Sequence, residues 1–358
     1  MYPALVVRQA LGKEADPVLW VGSKGGMEAD LVQRAGLPYT AIPAGQVAGM
    51  GLRTPVNLLK VMQGVLASKR ILDQFKPDVL LFTGGYVAVP MALAGAGFLG
   101  GRRVPSLVYV PDIEPGMALK LLGRFADCIA LTTEDSRQYF APGKRTAVTG
   151  YPTRSELTEW TREKAAAHLN LQADRFTLLV TGGSSGARSI NRAVIPILPE
   201  LLKNMQVIHL TGKLDWEEVS SAQAGLPPEL AKNYRPMPYL HEMGAALAAA
   251  DLVVARAGAS ALGEFPLFGL PAILAPYPHA WRYQKVNADY LVRHGAAVMI
   301  EDADLPAQLL PAAQNLFDHP ERLQQMRKAM QSLAQPQAAQ SLKNLVLELA
   351  NSDVRREK

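Results

Sequence analysis

Leu252-Val-Val-Ala-Arg-Ala-Gly-Ala-Ser-Ala-Leu-Gly-Glu264 decides how this chain is read. Its first four residues form a short apolar run that suits a buried strand. Gly258 permits a tight turn with close approach of the backbone to a ligand, and Ser260 is placed to cap a helix carrying Glu264 in its second turn. An ionised carboxylate only accepts hydrogen bonds, so Glu264 can take both hydroxyls of a vicinal diol such as a ribose. Free amides at the helix start favour an anion nearby. A glycine turn leading into a capped helix occurs in any α/β unit, so by itself the stretch indicates an architecture and leaves the ligand open.

A second glycine loop upstream narrows the ligand. Phe176-Thr-Leu-Leu-Val180 reads as a strand, and Thr181-Gly-Gly-Ser-Ser-Gly-Ala-Arg-Ser-Ile-Asn191 follows it directly. Gly182, Gly183 and Gly186 would let main-chain N–H groups point at oxyanions, with partial positive charge added by the next helix start. The loop lacks the Lys-Ser/Thr ending of a P-loop. It also lacks the spacing and downstream acid of a dinucleotide fingerprint, which turns the reading away from ATPases and dehydrogenases.

Strand-like runs alternate with helical ones along the chain, the signature of parallel sheets joined by crossover helices. Strands are expected near 18–21, 39–42, 79–82, 107–109, 129–132 and 146–148 in the first half. In the second half they are expected near 177–180, 207–210, 235–237, 252–255, 272–274 and 298–300. The expected fold is α/β, two Rossmann-like parallel-sheet domains facing a cleft, with residues 1–150 in the first and 151–335 in the second. Residues 336–358 are expected to form a last helix, over Ser341–Ala350, and a tail. Ligands of such sheets sit at the C-terminal ends of the strands.

With 358 residues, 49% of them hydrophobic and 19% charged, the chain has material for two cores and no disordered majority. Its single cysteine, Cys128, lies in an apolar run and excludes an intrachain disulfide, which suits a reducing cytoplasm. Val79 to Gly101 carries no charged side chain and is long enough to cross a bilayer, but Thr83-Gly-Gly85 and Pro90 divide it into a strand, a loop and a helix. Between Gln46 and Leu72, Arg53, Lys60, Lys69 and Arg70 accompany Leu58, Leu59, Met62, Val65 and Leu66 at helical spacing. That segment either packs its apolar face on the sheet or lies on a membrane surface. A net charge of +5 and a pI near 9.2 suit an anionic membrane or a pyrophosphate ligand. The dispersed basic residues and the lack of a recognition motif exclude nucleic acid as a partner.

These two glycine segments, together with Tyr2-Pro-Ala-Leu5, Phe82-Thr-Gly-Gly-Tyr-Val87, Pro115-Gly116, Arg124-Phe-Ala-Asp127, Thr149-Gly-Tyr-Pro-Thr-Arg154, Pro276-Tyr-Pro-His279, Gln284-Lys-Val-Asn287 and Gly269-Leu-Pro-Ala272, resemble one enzyme family almost end to end. It is the peptidoglycan glycosyltransferase family 28, which adds N-acetylglucosamine to undecaprenyl-pyrophosphoryl-muramoyl-pentapeptide. The resemblance implies the GT-B architecture, an inverting single displacement, a UDP-sugar donor and a lipid-linked acceptor, with neither cofactor nor metal. It also implies a cytoplasmic protein peripherally associated with the inner face of the cell membrane, whose last helix returns to the first domain.

Residue by residue, the resemblance implies that Glu264 holds the ribose and that the main chain near Leu240 reads the uracil. Arg154, Ser184 and Ser185, with Gly183, would lie at the nucleotide and pyrophosphate, and Gly258, Ala259 and Ser260 would offer groups to phosphate and sugar. Gln284 and Asn287 would face the sugar hydroxyls, since amides both donate and accept. On the acceptor side it implies Gly84, Gly85, Tyr86 and Asp112.

The chain departs from the family in small ways at Ser185, where Gln is usual, and at Ala261, where Thr is common, and in two places that matter more. The family's first strand, its glycine loop and the His taken as general base would precede Met1, so no catalytic residue is assigned, and a misassigned start is the expectation. Where the family has His-Glu-Gln-Asn, this chain has Tyr109-Val-Pro-Asp112, a loop that would alter acceptor binding. Three other readings share these features: a transferase acting on another lipid, a nucleotide-sugar-binding protein without activity, and a sugar-nucleotide epimerase.

Overall fold

The computed structural model describes residues 2–23, 28–44, 54–98, 100–279 and 283–354, the side chains of residues 28, 54–58 and 353–354 excepted. The chain divides into two units, Met1–Pro152 with Gln337–Lys358, and Thr153–Pro336.

In the second unit six strands form one sheet: Thr177–Thr181 (β7, in chain order after the six strands of the first unit), Gln206–Leu210 (β8), Tyr234–Met237 (β9), Leu252–Ala255 (β10), Ala272–Leu274 (β11) and Ala297–Met299 (β12). Their order is β12-β11-β10-β7-β8-β9, and every pairing is parallel. The chain starts at the centre, runs outward to β9 and returns to lay β10 against β7. Strand order therefore reverses between β7 and β10, which is where open α/β sheets take their ligands. Thr181 pairs with Ala255, so the two glycine segments read from the sequence leave the sheet side by side. All residues of β7, β8 and β10 are buried, as expected for continuous apolar runs covered by helices on both faces. Leu178, Val180, Ile190, Val194, Leu198, Val207, Leu252 and Val254 belong to the core that holds this sheet against its helices.

The first unit contains Trp20–Ser23 (β1), Tyr39–Ile42 (β2), Leu80–Phe82 (β3), Ser106–Val110 (β4), Cys128–Leu131 (β5) and Thr146–Val148 (β6). Among the described residues these form two separate parallel sheets, β1-β2 and β3-β4-β5-β6. A cavity of about 860 Å³ is lined by residues of β1 and β3, by Val7 and Leu11 of the helix Tyr2–Leu11, and by Val346. One face of the four-stranded sheet packs Val108 and Ile129 against Val61, Val65, Leu72 and Met91. The other packs Leu107, Tyr109 and Cys128 against Val7, Leu11 and the last helix through Leu342, Val346 and Leu349. That helix spans Ala338–Val354, longer at both ends than its expected extent. Cys128 is buried there, and burial raises its thiol pKa.

All twelve expected strands are present, with ends displaced by at most two residues. The uncharged run from Val79 resolves into β3, a glycine turn and the helix Ala88–Gly95, with Pro90 in its first turn. No helix among the described residues is long and apolar enough to cross a membrane.

The segment Tyr109-Val-Pro-Asp112 requires a correction. Tyr109 and Val110 are the last residues of β4 and are buried, so only Pro111 and Asp112 belong to a loop. The Tyr109 hydroxyl lies 2.9 Å from Thr132 Oγ1 and donates to the Gly150 carbonyl at 3.3 Å. Burial raises its pKa well above the usual value, so the tyrosine stays neutral and acts as a core polar contact.

Candidate functional site

The site of the second unit is built at the reversal point of its sheet. After β7 the chain enters the loop 182–187, whose glycines serve two different purposes. A Cβ on Gly182 would lie 2.1 Å from the Ala187 nitrogen, and one on Gly186 would lie 2.1 Å from the Thr211 carbonyl oxygen. Both are glycine because backbone packs against backbone, whereas the space beside the Gly183 Cα is open. The Gly183 N–H donates to Thr181 Oγ1 at 3.3 Å, so it is not the free anion donor expected of it. Gly183, Ser184 and Ser185 are exposed at the crest of the loop.

Beneath this loop lies a buried polar chain. His209 on β8 sits 2.8 Å from the Tyr234 hydroxyl through Nδ1 and 3.0 Å from Asn191 Oδ1 through Nε2. Asn191 Nδ2 donates to the Thr211 carbonyl and to Asp215 Oδ2, both at 2.9 Å. Asp215 in turn accepts from Arg188 Nε at 2.8 Å. Because the Asn191 oxygen can only accept, His209 carries its proton on Nε2, and Tyr234 donates to Nδ1. Burial lowers the His209 pKa to about 3, which keeps the ring neutral and this arrangement fixed. The network ties β8, β9 and the helix Arg188–Val194 together under the glycine loop.

After β10 the local structure differs from the sequence expectation. Ala259–Leu262 is a short 3₁₀ turn and Glu264–Phe268 is the following helix, so Ser260 caps nothing and Glu264 is the first helical residue. Gly258 has φ −66° and ψ 167°, a conformation open to any residue, so its absent side chain does not serve the turn. No atom lies within 4 Å of where its Cβ would stand. The glycine therefore leaves open space beside the backbone, which suits close approach by a ligand.

Glu264 is half-buried, and desolvation raises its carboxyl pKa to about 7, with the charge of Arg154 pulling it back down. Arg154 lies at the start of the second unit just before the 3₁₀ turn Ser155–Glu159, and its charge reaches Glu264 although the two are far apart in sequence. Gln284, on the helix Tyr283–Arg293, accepts through Oε1 from the Tyr277 N–H at 2.8 Å. Asn287 on the same helix is buried and donates from Nδ2 to the Ala257 carbonyl at 3.1 Å, which anchors the helix to the turn after β10. Leu240 follows β9 in a half-buried loop, next to Tyr239, which is 44% exposed. His279 is exposed, with its ring edge-on to Tyr277.

Arg256 received no role from the sequence, yet it is the best-connected side chain here. It pairs with Asp302 and donates to the Ala275 carbonyl at 2.8 Å and to Ser189 Oγ at 2.7 Å. Its guanidinium carbon also lies 5.3 Å from the Tyr277 ring centroid.

In the first unit Gly84, Gly85 and Tyr86 follow β3, and Asp112 follows β4. These strands are neighbours, so the four residues lie at one edge of their sheet, the two glycines with φ of 111° and 86°. Asp112, Gly84 and Tyr86 are half-buried and Gly85 is exposed. Among the described residues no cluster of His, Cys, Asp and Glu could hold a metal ion.

Residues 177–342 match the glycosyltransferase family 28 C-terminal domain, and residues 1–131 match the glycosyltransferase family 28 N-terminal domain. A UDP-N-acetylglucosamine--N-acetylmuramyl-(pentapeptide) pyrophosphoryl-undecaprenol N-acetylglucosamine transferase of Roseiflexus sp. is 42% identical, over 90% of this chain and 82% of its own length. The protein of the same description from Desulfitobacterium hafniense strain Y51 is 40% identical, over 98% of this chain and 96% of its own. The crystal structure of Acinetobacter baumannii MurG superimposes with a TM-score of 0.78 at 27% identity, covering 97% of this chain and 95% of that one. The UDP-GlcNAc 2-epimerase of Neisseria meningitidis, solved with UDP-GlcNAc bound, shares the fold at a TM-score of 0.66 and 12% identity, covering 97% and 96%.

Proposed function

This chain belongs to glycosyltransferase family 28 and has the GT-B fold, and from that premise we propose that it transfers N-acetylglucosamine from UDP-N-acetylglucosamine to the lipid-linked N-acetylmuramyl-pentapeptide of peptidoglycan synthesis. The observation that carries the donor half of this reading is the desolvated Glu264 carboxyl at the reversal point of the second sheet, within reach of the Arg154 charge. Glu264 accepts the two ribose hydroxyls, and the main chain near Leu240 reads the uracil. Arg154, with Ser184 and Ser185 at the loop crest, meets the charge that develops on the leaving UDP. Gln284 and Asn287 stand on the helix that faces the sugar. The acceptor hydroxyl loses its proton to a base on the first unit as it attacks the anomeric carbon, and the bond to UDP breaks in the same displacement. Gly84, Gly85, Tyr86 and Asp112 line the acceptor side.

Transfer is tested by incubating the chain with radiolabelled UDP-N-acetylglucosamine and undecaprenyl-pyrophosphoryl-N-acetylmuramyl-pentapeptide. Label in a lipid-linked disaccharide with release of UDP supports the reading. Label that stays on an epimerised nucleotide sugar, or that appears only on other polyprenyl acceptors, contradicts it.

The open space at Gly258 gives a selective expectation. Gly258→Ala should leave stability within about 0.5 kcal/mol of the parent, because its backbone angles and surroundings tolerate a Cβ. The added methyl should weaken the UDP sugar roughly 10-fold by intruding where the ligand approaches. Thermal melts and calorimetric titration of the same sample check both halves.

Peripheral binding to the inner membrane face is part of the same proposal. The helix Thr54–Phe75 buries Val61, Val65 and Leu72 but leaves Leu59 59%, Met62 38% and Leu66 51% exposed. The helix thus has two apolar stripes, one in the core and one outside, the outer accompanied by Lys60, Lys69 and Arg70. Phe98, 63% exposed, belongs to a loop whose Gly101 lies against Lys69. Arg53 and the side chain of Leu58, included in the amphipathic segment read from the sequence, lie outside the described residues. An apolar stripe flanked by cations suits an anionic lipid surface. Replacing Leu59 and Leu66 together by Gln should lower partitioning onto phosphatidylglycerol vesicles roughly 10-fold, without shifting the melting temperature. Unchanged flotation with those vesicles contradicts the assignment.

A further inference from the structure

The four contacts of Arg256 come from the exits of three strands that neighbour one another together with its own. Arg256 follows β10 directly, Ser189 lies on the helix after β7, Ala275 and Tyr277 follow β11, and Asp302 opens the turn after β12. In the sheet these strands stand in the order β12-β11-β10-β7, so one guanidinium ties together the C-terminal exits of two thirds of the sheet. Asp302 is the partner that fixes it. Its carboxylate takes Arg256 and also accepts from Ser189 Oγ at 2.7 Å, while Ser189 Oγ accepts from Arg256 Nη2. The triangle is closed and partly buried, with Arg256 11% and Asp302 20% exposed. On its outer side the guanidinium lies over the Tyr277 ring, and the Tyr277 N–H holds the side-chain oxygen of Gln284.

We propose that Asp302, supported by Ser189, is a positioning residue for recognition of the donor sugar, acting through Arg256 and Tyr277 on the amide of Gln284. The proposal rests on the reading that places Gln284 at the sugar. With its oxygen occupied by Tyr277, Gln284 presents its NH₂ group in one orientation, and a fixed donor discriminates between hydroxyl patterns where a rotating amide does not. Removing the Asp302 carboxylate leaves a partly buried guanidinium without its counter-charge, and the loop 276–279 loses the platform that sets its height. The nucleotide half of the donor is held by other residues, so this effect is confined to the sugar.

The test is a calorimetric comparison of UDP and UDP-N-acetylglucosamine binding to the full chain, its Asp302→Ala, Ser189→Ala and Gln284→Ala variants, and the Asp302→Ala/Gln284→Ala double variant. Asp302→Ala is expected to weaken UDP-N-acetylglucosamine about 10-fold and UDP less than 2-fold, with Asp302→Glu restoring part of the loss. In the Gln284→Ala background the same change is expected to have no further effect, as coupling through Gln284 requires. The milder Ser189→Ala serves if Asp302→Ala does not fold, and is expected to show the same selectivity at smaller size. Equal losses for UDP and the UDP sugar, additive losses in the double variant, or no loss at all would each overturn the proposal. A parent chain that binds UDP-N-acetylglucosamine no better than UDP-glucose would instead remove the reading on which it rests.

Discussion

Glu264→Ala should weaken binding of UDP-N-acetylglucosamine by roughly 1.5–3 kcal/mol, about 10- to 150-fold, through the loss of two charge-assisted hydrogen bonds to the ribose. The size of the effect depends on ionisation, which makes the expectation specific to this carboxylate. Burial holds the Glu264 pKa near 7, so at pH 6 most molecules carry a protonated acid and at pH 8 most carry the anion. Only the anion accepts from both hydroxyls, so affinity should rise across that interval, with proton release on binding below pH 7. In Glu264→Gln the slope should disappear. Removing Arg154 takes away the charge that opposes desolvation, so Arg154→Ala should move the midpoint to higher pH as well as weakening the pyrophosphate contact. For stability the sign is the reverse. A carboxyl pKa raised on folding favours the folded state below its unfolded value, and that contribution is lost as the pH rises through about 7. The parent should therefore lose some stability between pH 5 and pH 8 from this group, and a saturating UDP sugar should restore it. A flat affinity profile in the parent would contradict the role given to Glu264.

Gly186→Ala should destabilise the second unit by roughly 3 kcal/mol, the sum of a left-handed backbone penalty and an overlap that nothing nearby can relieve. Gly186 has φ 78°, and its Cβ would lie 2.1 Å from the Thr211 carbonyl oxygen and 3.0 Å from Gly212 Cα. Thr211 cannot move away cheaply, because the same carbonyl is held by Asn191 Nδ2 at 2.9 Å within the His209 network. The mutant has to open either the glycine loop or that buried chain, so affinity for the nucleotide should fall together with stability. Gly183→Ala is the control. Gly183 also has a left-handed φ, 81°, but no atom lies within 4 Å of its Cβ position, so only about 1 kcal/mol is expected. Urea denaturation of the two variants separates backbone conformation from close approach. Equal losses would show that the contact between the loop and Thr211 does not support the site.

The parallel sheets were legible because their strands are continuous apolar runs bounded by glycine and proline, and because buried strands leave that mark whatever they pack against. Both glycine loops were legible for the same reason, since each follows its strand at once. The purpose of the individual glycines was not legible. Gly182 meets backbone from the other side of its own loop, Gly186 meets the next strand exit at Thr211, and Gly258 meets nothing; these facts depend on how the loop folds back and on what stands beside it. Ser260 and Glu264 were read as cap and second turn because their spacing allows a single helix, whereas the backbone breaks at Gly263 between a 3₁₀ turn and a new helix. Val110 looked like a loop residue beside Pro111 but closes β4 after Tyr109, and the two pack on opposite faces of the sheet, Tyr109 against the last helix and Val110 with Val61, Val65 and Met91. The Arg256 clasp left no sequence signal, because its partners Ser189 and Asp302 are separated from it by 67 and 46 positions. Only the strand order brings them together.

The most direct measurement is calorimetric titration of the chain with UDP-N-acetylglucosamine, with UDP-glucose and UDP as comparators. The donor site predicts saturable binding of one UDP-N-acetylglucosamine per chain, tighter than UDP-glucose and weakened at least about 10-fold in Glu264→Ala. A folded chain that binds none of the three, or binds all three alike and ignores Glu264, would contradict it.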